Sequence, residues 1–435
     1  MSSFAKLFFG TASLQLLSRG LSVISGVIFA RFLGAEQYGL YTYVFSIITV
    51  AALPVLAGIP NLMVREVANF HLEKNWPQLN GIFWWSRGYV LSISAVILAV
   101  MSSLVYFDYF QPHVAALIVI AMWAIPLRGI ASQQDAVLNG FQKPILAQLP
   151  SKLLAPFFTL AVLLYYVFFD KPLSSMTLVT ITIFASLLTC TLSYLLVRYV
   201  IKKYSEPARP DYLTRSWLRS LVPFALITFV VTLNAELAIV LLGWLGDLES
   251  VAYFRVGMQA VTLITIVLSS ISAVLMPNIA RLYKSGDMEN AQALLNRAVR
   301  LTVLVSLPIF LVLVFAGDLL IEWLFGSEYL DAYPALIILC VGHFISMQLG
   351  PVGLVLNMTH NEGKTVRSLI ITLIINLVLL FSLVPLYQEI GAAIAIAASL
   401  IICNLLMTRE VWALTKLKTW ISFSHTKKLA VDTHS

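Results

Sequence analysis

Apolar runs of about 20 residues alternate with short polar breaks along the whole chain, the spacing of helices that cross a bilayer. Twelve runs are predicted, over 8–30, 39–59, 84–107, 113–134, 145–169, 174–199, 220–245, 251–276, 298–316, 332–354, 366–387 and 390–413. Gly317 stops the ninth, and Asp318, Glu322 and Glu328 then read as an amphipathic exit. A membrane barrel would show period-2 alternation in segments of about ten residues instead. The first run is too long for a cleaved leader and holds Arg19 inside it, so it reads as a span.

Lys and Arg orient these spans, because they gather on the cytoplasmic side. With the N-terminus inside, only Arg31, Lys171 and Arg255 fall on the outer side, and Arg19, Arg128 and Lys152 lie within spans. The rest of the 28 Lys and Arg residues lie on the inner side. Both termini are therefore predicted to be cytoplasmic. The same asymmetry explains the net charge of +7 as topology, so no nucleic-acid partner is expected. Charged residues are only 11% of the 435 and hydrophobic ones 60%, where a soluble domain carries roughly 25% charged residues. Cys190, Cys340 and Cys403 all lie in apolar runs without metal-ligand or disulfide spacing, so they read as small core residues. No metal and no cofactor is expected.

The chain also repeats itself. Val137-Leu138-Asn139 recurs as Val355-Leu356-Asn357, Pro60-Asn61 as Pro277-Asn278, and Leu33-Gly34 as Leu245-Gly246, at offsets of 218, 217 and 212 and in the same order. In an apolar chain this points to a transporter built from two related halves with a site between them. A polar stretch with Pro207, Arg209, Pro210 and Asp211 is the expected cytoplasmic linker. It divides the chain into a first six-helix bundle at 1–205, a linker at 206–218 and a second bundle at 219–435. The expected fold is thus an all-α polytopic membrane protein. Its two bundles are related by a pseudo-twofold axis along the membrane normal.

The first loop carries a recognisable pattern: Arg31, Leu33-Gly34, then Tyr38-Gly39-Leu40-Tyr41 running into the second helix. It resembles the signature of Wzx-type polysaccharide transporters, a branch of the multidrug/oligosaccharidyl-lipid/polysaccharide (MOP) superfamily that is related to MATE transporters. Helix count, length and repeat extend the likeness over the chain. The motif has structural sense in its own right. Gly34 suits a left-handed end to the first helix, Gly39 a close approach of the second, and Tyr38, Tyr41 and Tyr43 an interfacial position. The resemblance implies two six-helix bundles around a central cavity. It also implies translocation of undecaprenyl-pyrophosphate-linked oligosaccharide, such as O-antigen repeat units, from the cytoplasmic to the periplasmic leaflet of a bacterial inner membrane. Polysaccharide polymerase and chain-length proteins are the partners it implies, beside the bilayer.

Charges inside spans are the direct pointer to a site, since each costs roughly 2.5–3.5 kcal/mol on insertion scales. Arg19 stands in a small or polar stripe with Thr11, Gln15, Ser22 and Gly26, which suits a cavity wall. Arg128 and Lys152, towards the cytoplasmic mouth, suit a pyrophosphate or snorkel to water. Arg31 and Arg255, at the outer ends, suit head-group guidance or a loop role. Glu236 follows Thr228 and Thr232 at every fourth position. It is read as facing the cavity opposite Arg19, as a carboxylate for coupling to H⁺ or Na⁺ or as half of an ion pair. Asp135, on the face of Arg128, offers a second coupling carboxylate or a partner for that arginine. Gln148, Gln259, Gln348, Asn376 and Asn404 line the cavity or bridge helices.

Nothing resembles an enzyme: there is no phosphate-binding glycine loop, zinc helix or nucleophile elbow. The alternatives left open are a multidrug cation antiporter of the same superfamily and a lipid II flippase. From a different class, a membrane glycan polymerase or ligase remains.

Overall fold

The computed structural model describes residues 3–420, without the side chains at 3–12, 16, 223, 227, 270, 273, 274 and 277. The side chains of Thr11 and Pro277 therefore lie outside the described residues. All regular structure among the described residues is helical. In chain order it comprises α1 (Ser3–Leu33), α2 (Ala35–Ala51), α3 (Leu53–Leu56), α4 (Ile59–Leu72), α5 (Trp76–Tyr106), α6 (Pro112–Ala121), α7 (Ala124–Gly140) and α8 (Pro144–Gln148). A π-helical turn at Leu149–Leu154 leads into α9 (Ala155–Phe168), α10 (Ser175–Tyr204), α11 (Thr214–Leu245) and α12 (Leu248–Lys284). Then come α13 (Met288–Phe315), α14 (Gly317–Leu324), a 3₁₀ turn at Ser327–Tyr329, α15 (Ala332–Gln348), α16 (Val352–Met358) and α17 (Glu362–Thr415).

Nine of the described helices are long and apolar enough to cross a bilayer, or eleven if each of two bent pairs counts as one span. The chain is a multi-pass membrane protein. The predicted second span is one bent pair, with a 51° angle between Ala35–Ala51 and Leu53–Leu72. Pro54, Gly58 and Pro60 cause it: proline removes ladder donors, and Gly58 takes φ 82°. The predicted tenth span is the other, bent by 40° between Ala332–Gln348 and Val352–Met358, where Gly350 (φ 79°) precedes Pro351. The predicted eleventh and twelfth runs fall together in α17, whose 54 residues are interrupted by non-helical backbone at Gln388 (φ 45°, ψ −123°). An unbroken helix of that length would measure about 80 Å, against roughly 30 Å of hydrocarbon.

The repeat seen as short identities is also present as local geometry. The α4–α5 turn places Lys74 at φ 54°, bonds Asn75 N to Phe70 O, and caps α5 with the Asn75 side chain on Gln78 N. The α12–α13 turn, 212 residues on, does the same. Gly286 has φ 73°, Asp287 N bonds Leu282 O, and the Asp287 side chain accepts from Asn290 N. Both copies of Val-Leu-Asn end a helix, and each is followed by a residue of positive φ: Gln142 at 58° and His360 at 60°. There Lys143 N bonds Leu138 O, and Asn361 N bonds Leu356 O, the closure of a Schellman turn. Asp170, after α9, has φ 45°, and so does Gln388, 218 residues later.

The chain forms two compact units. One runs through Arg255 and takes in Leu324–Glu328; the other comprises Val256–Trp323 and the chain from Tyr329 onward. In the first, α11 packs on α2, α3 and α4, and α7 on α4, α5 and α10. Of the predicted linker at 206–218, residues 206–213 are extended between α10 and α11 and strapped across α5, whereas 214–218 already belong to α11. Asp211 N donates to Pro77 O at 2.9 Å, Asn80 Nδ2 donates to Ala208 O at 3.0 Å, and a Cβ on Gly81 would meet Asp211 O. In the second unit α15 packs on α13 and α17. Its core gathers Leu275, Ile279, Leu295, Val355, Leu356 and Met407, so the two apolar residues of the second Val-Leu-Asn copy pack inside it while Asn357 is exposed.

Candidate functional site

The first-loop motif is a packing device. Gly34 has φ 77° and ψ 166°; the positive φ is as expected, but the backbone there is extended and not left-handed helical. A Cβ on Gly39 would sit 1.7 Å from Leu248 O, so only glycine lets α2 touch the start of α12. The Tyr38 hydroxyl lies within electrostatic range of Arg255, and Gln37 Oε1 accepts from Ser175 N at 3.2 Å and Ser175 Oγ at 2.7 Å. α2 is thereby tied to α12 and to the N-terminus of α10.

The turn into α2 aims Tyr41 at the candidate site, a cavity of about 570 Å³ within the first unit. Four elements besides α2 build most of its wall. α1 supplies Ser22, Ser25 and Phe29; α7 supplies Arg128, Ser132 and Asp135; the π-helical turn supplies Ser151 and Lys152; α10 supplies Thr182, Ser186 and Thr189. Hydroxyls recur at three- and four-residue spacing on α10 because such positions share one helix face. The π turn adds a residue to the helical repeat, and such turns are frequent at functional sites. Here it turns Ser151 and Lys152 into the cavity.

The charges are held in distinct ways. Asp135 accepts from Ser151 Oγ at 3.1 Å on Oδ2 and from Ser193 Oγ at 3.2 Å on Oδ1. Lys152 lies within electrostatic range of it. The arrangement does not pair Asp135 with Arg128, the partner expected from their shared helix face. Instead the Arg128 guanidinium lies 5.1 Å from the centre of the Phe45 ring, and Tyr41 and Glu236 interact with it electrostatically. Glu236 accepts a 2.7 Å hydrogen bond from Ser46 Oγ. The Tyr41 ring packs on Phe29 and Phe45 at 6.0 and 4.7 Å. Its hydroxyl donates to Thr182 Oγ1, whose own proton goes to Leu178 O. Ser25 Oγ is buried with no partner among the described residues.

Of the residues singled out from the sequence, the cavity thus brings together Arg128, Lys152 and Asp135. Glu236 reaches it indirectly, through the field at Arg128. Gln15 and Arg19 are exposed and lie outside the lining, one to two turns before Ser22. Arg31 is exposed at the end of α1, and Arg255 is engaged with Tyr38. Asn404 bridges helices by donating to Ser346 Oγ. Sequence reasoning missed Tyr41's role in the wall, the serine clamp on Asp135 and Ser46. The stripe of Thr182, Ser186, Thr189 and Ser193 was the available signal.

A cavity with two cations, a clamped carboxylate and a hydroxyl-rich wall can hold a polar, anionic solute within an apolar protein. Comparison with known proteins carries this further. The family described as polysaccharide biosynthesis protein matches residues 28–334. The chain belongs to this family. It is similar to the probable low-salt glycan biosynthesis flippase Agl15 of Haloferax volcanii, with 23% identity over 159 residues, 36% of this chain and 34% of that protein. Its fold is that of solved MOP-superfamily transporters. An inward-facing multidrug resistance MATE family transporter matches with TM-score 0.74 and 13% identity, over 94% of this chain and 99% of that one. The inward closed conformation of the lipid II flippase MurJ matches with TM-score 0.72 and 15% identity, over 92% and 87%.

Proposed function

We propose that this transporter flips a lipid-linked oligosaccharide, carried on undecaprenyl pyrophosphate, from the cytoplasmic to the periplasmic leaflet of a bacterial inner membrane by alternating access. The observation that carries the reading is the cavity wall. Arg128 and Lys152 suit the pyrophosphate, and Ser22, Ser25, Ser132, Thr159 and Ser186 offer donors and acceptors to sugar hydroxyls. Leaving a pyrophosphate unpaired in hydrocarbon is prohibitive, so the polar head needs such a lining while the lipid tail stays in the bilayer. O-antigen repeat units are the substrates of this kind that the loop motif favours. The cationic pair favours this reading over a cation antiporter.

The same proposal takes the chain as twelve spans, six in each half about the linker at 206–218, with both termini cytoplasmic. The matching breaks at Asp170 and Gln388 support it, because each separates the fifth from the sixth span of its half. Asp135, clamped by two serines beside Lys152, is the carboxylate we assign to ion coupling, with Glu236 beside Arg128 as its counterpart.

Reconstitution in proteoliposomes with a fluorescent undecaprenyl-pyrophosphate oligosaccharide tests the reading. The Arg128→Ala/Lys152→Ala double variant should flip at least about tenfold more slowly than the native chain. Arg87→Ala, which removes only a cation held on the rings of Phe83 and Tyr194, should flip at the native rate. Native flipping by the double variant overturns the proposal.

A further inference from the structure

We propose that three turns of the first unit build a second saccharide site, which binds the sugar portion of a glycan and turns away its phosphate. This deepens the reading above and rests on it for the substrate class. The α1–α2, α5–α6 and α11–α12 turns meet around a separate cavity of about 710 Å³. These turns lie on the Lys/Arg-poor side of the chain, opposite the cytoplasmic loops.

Its floor is Tyr43, a buried ring seated so closely on α11 that a Cβ on Gly243 would come within 2.2 Å of it. Tyr109 and Trp244 stand at its sides, 66% and 57% exposed. Aromatic side chains at a membrane interface ordinarily anchor the protein to lipid, but these line a concavity. The charged polar lining is dominated by carboxylates, Glu36, Asp247 and Glu249, with Gln111 and His113 beside them. Asp247 is positioned by Ser250 N, which donates to its Oδ1 at 2.7 Å. Glu36 and Glu249 have no hydrogen bond or ion pair among the described residues. No Lys or Arg is among the lining residues.

That combination selects a ligand class. A pyranose presents flat C–H faces to aromatic rings and hydroxyl donors to carboxylates, which accept only. Three carboxylates repel phosphate. They do not form a metal site: among the described residues no three His, Cys, Asp or Glu side chains converge as ligands. The volume is that of ordinary small-molecule sites. The inner cavity, with Arg128 and Lys152, has the opposite polarity. A glycan can therefore be received by its sugars at the outer turns while its pyrophosphate stays out.

The test uses the purified full chain in lipid nanodiscs and two phosphate-free probes, chitotriose and maltotriose, followed by saturation-transfer NMR. At least one probe should bind. Trp244→Ala and Tyr109→Ala should each weaken it about fivefold or more, as should Glu36→Gln/Glu249→Gln. Trp84→Ala, an exposed tryptophan outside the lining, should not, and a tenfold excess of inorganic pyrophosphate should not displace the sugar. Because Trp244 and Tyr109 are exposed, their variants should keep the native melting temperature, which separates lost binding from lost folding. Binding of neither probe, undiminished binding by both aromatic variants, or displacement by pyrophosphate overturns the proposal. The flipping assay on Arg128 and Lys152 is independent: native flipping there alongside intact sugar binding would remove the inner-cavity reading alone.

Discussion

At Gly39 a single hydrogen atom decides whether two helices can touch. A methyl group there would overlap the Leu248 carbonyl, and neither backbone can retreat without moving a helix. Gly39→Ala should destabilise the protein by about 3 kcal/mol or more, read as a lower melting temperature and reduced folded yield in detergent. Asp135 is the polar counterpart. Its two oxygens take the hydroxyls of Ser151 and the buried Ser193. Asp135→Ala strands both, at a cost of about 1–3 kcal/mol in thermal unfolding, whereas Asp135→Asn keeps an acceptor for one hydroxyl and should cost less. A smaller loss for Ala than for Asn would show that the clamp does not hold the site. Both residues stand out in the sequence, Gly39 by its motif and Asp135 as a carboxylate on the face of Arg128 at the end of an apolar run. Their partners do not, because Leu248 and Ser193 are made neighbours only by folding.

At the scale of elements, turns carry the internal repeat better than helices do. Apolar helix residues are interchangeable so long as they stay apolar, and identity there decays quickly. A residue at positive φ, followed by one whose side chain caps the next helix, is a stricter requirement. Lys74-Asn75 and Gly286-Asp287 meet it with different residues, so short identities alone could not reveal this pair. The difference predicts a difference in behaviour. Asp287 is held below the usual carboxylate range by the Asn290 side chain and then by its backbone N–H. A depressed value adds stability that is present above the unfolded-state value, about 3.9, and is lost as pH falls through the folded one. The native melting temperature should therefore drop on acidification in that range, more steeply than that of Asp287→Asn. Equal slopes would remove the cap's ionic role. Asn75 does not titrate and should add no such dependence. The π-helical turn at Leu149–Leu154 is the element that no periodicity announced. Pro150 and Pro156 flank its centre, but an apolar run with two prolines reads equally well as a kinked helix.

For the whole molecule, the matching breaks make a topological prediction. In a background with Cys190, Cys340 and Cys403 replaced by alanine, cysteines placed at Gln142 and His360 should react with a membrane-impermeant maleimide only from the cytoplasmic side. Cysteines at Asp170 and Gln388 should react only from the opposite side. Reaction of Gln388→Cys from the cytoplasmic side would remove the twelve-span arrangement, because α17 would then not turn at the outer face.

What the sequence determined by itself follows from solvent. A chain that is 60% hydrophobic, cut into runs of spanning length and biased in its Lys and Arg, has few ways to meet a bilayer, since every backbone polar group must be satisfied internally. Helical class, multiple passes and family were all legible in that pattern and in one loop. The cavity was not. Period and composition place a charge on a helix but leave its rotation and its neighbours open. Arg19 and Arg128 look alike in sequence, yet only Arg128 enters the wall of the inner cavity. That choice belongs to close contacts between helices distant in the chain, at Gly39, Gly58 and Gly243, which set the distances at which hydroxyls, rings and charges meet.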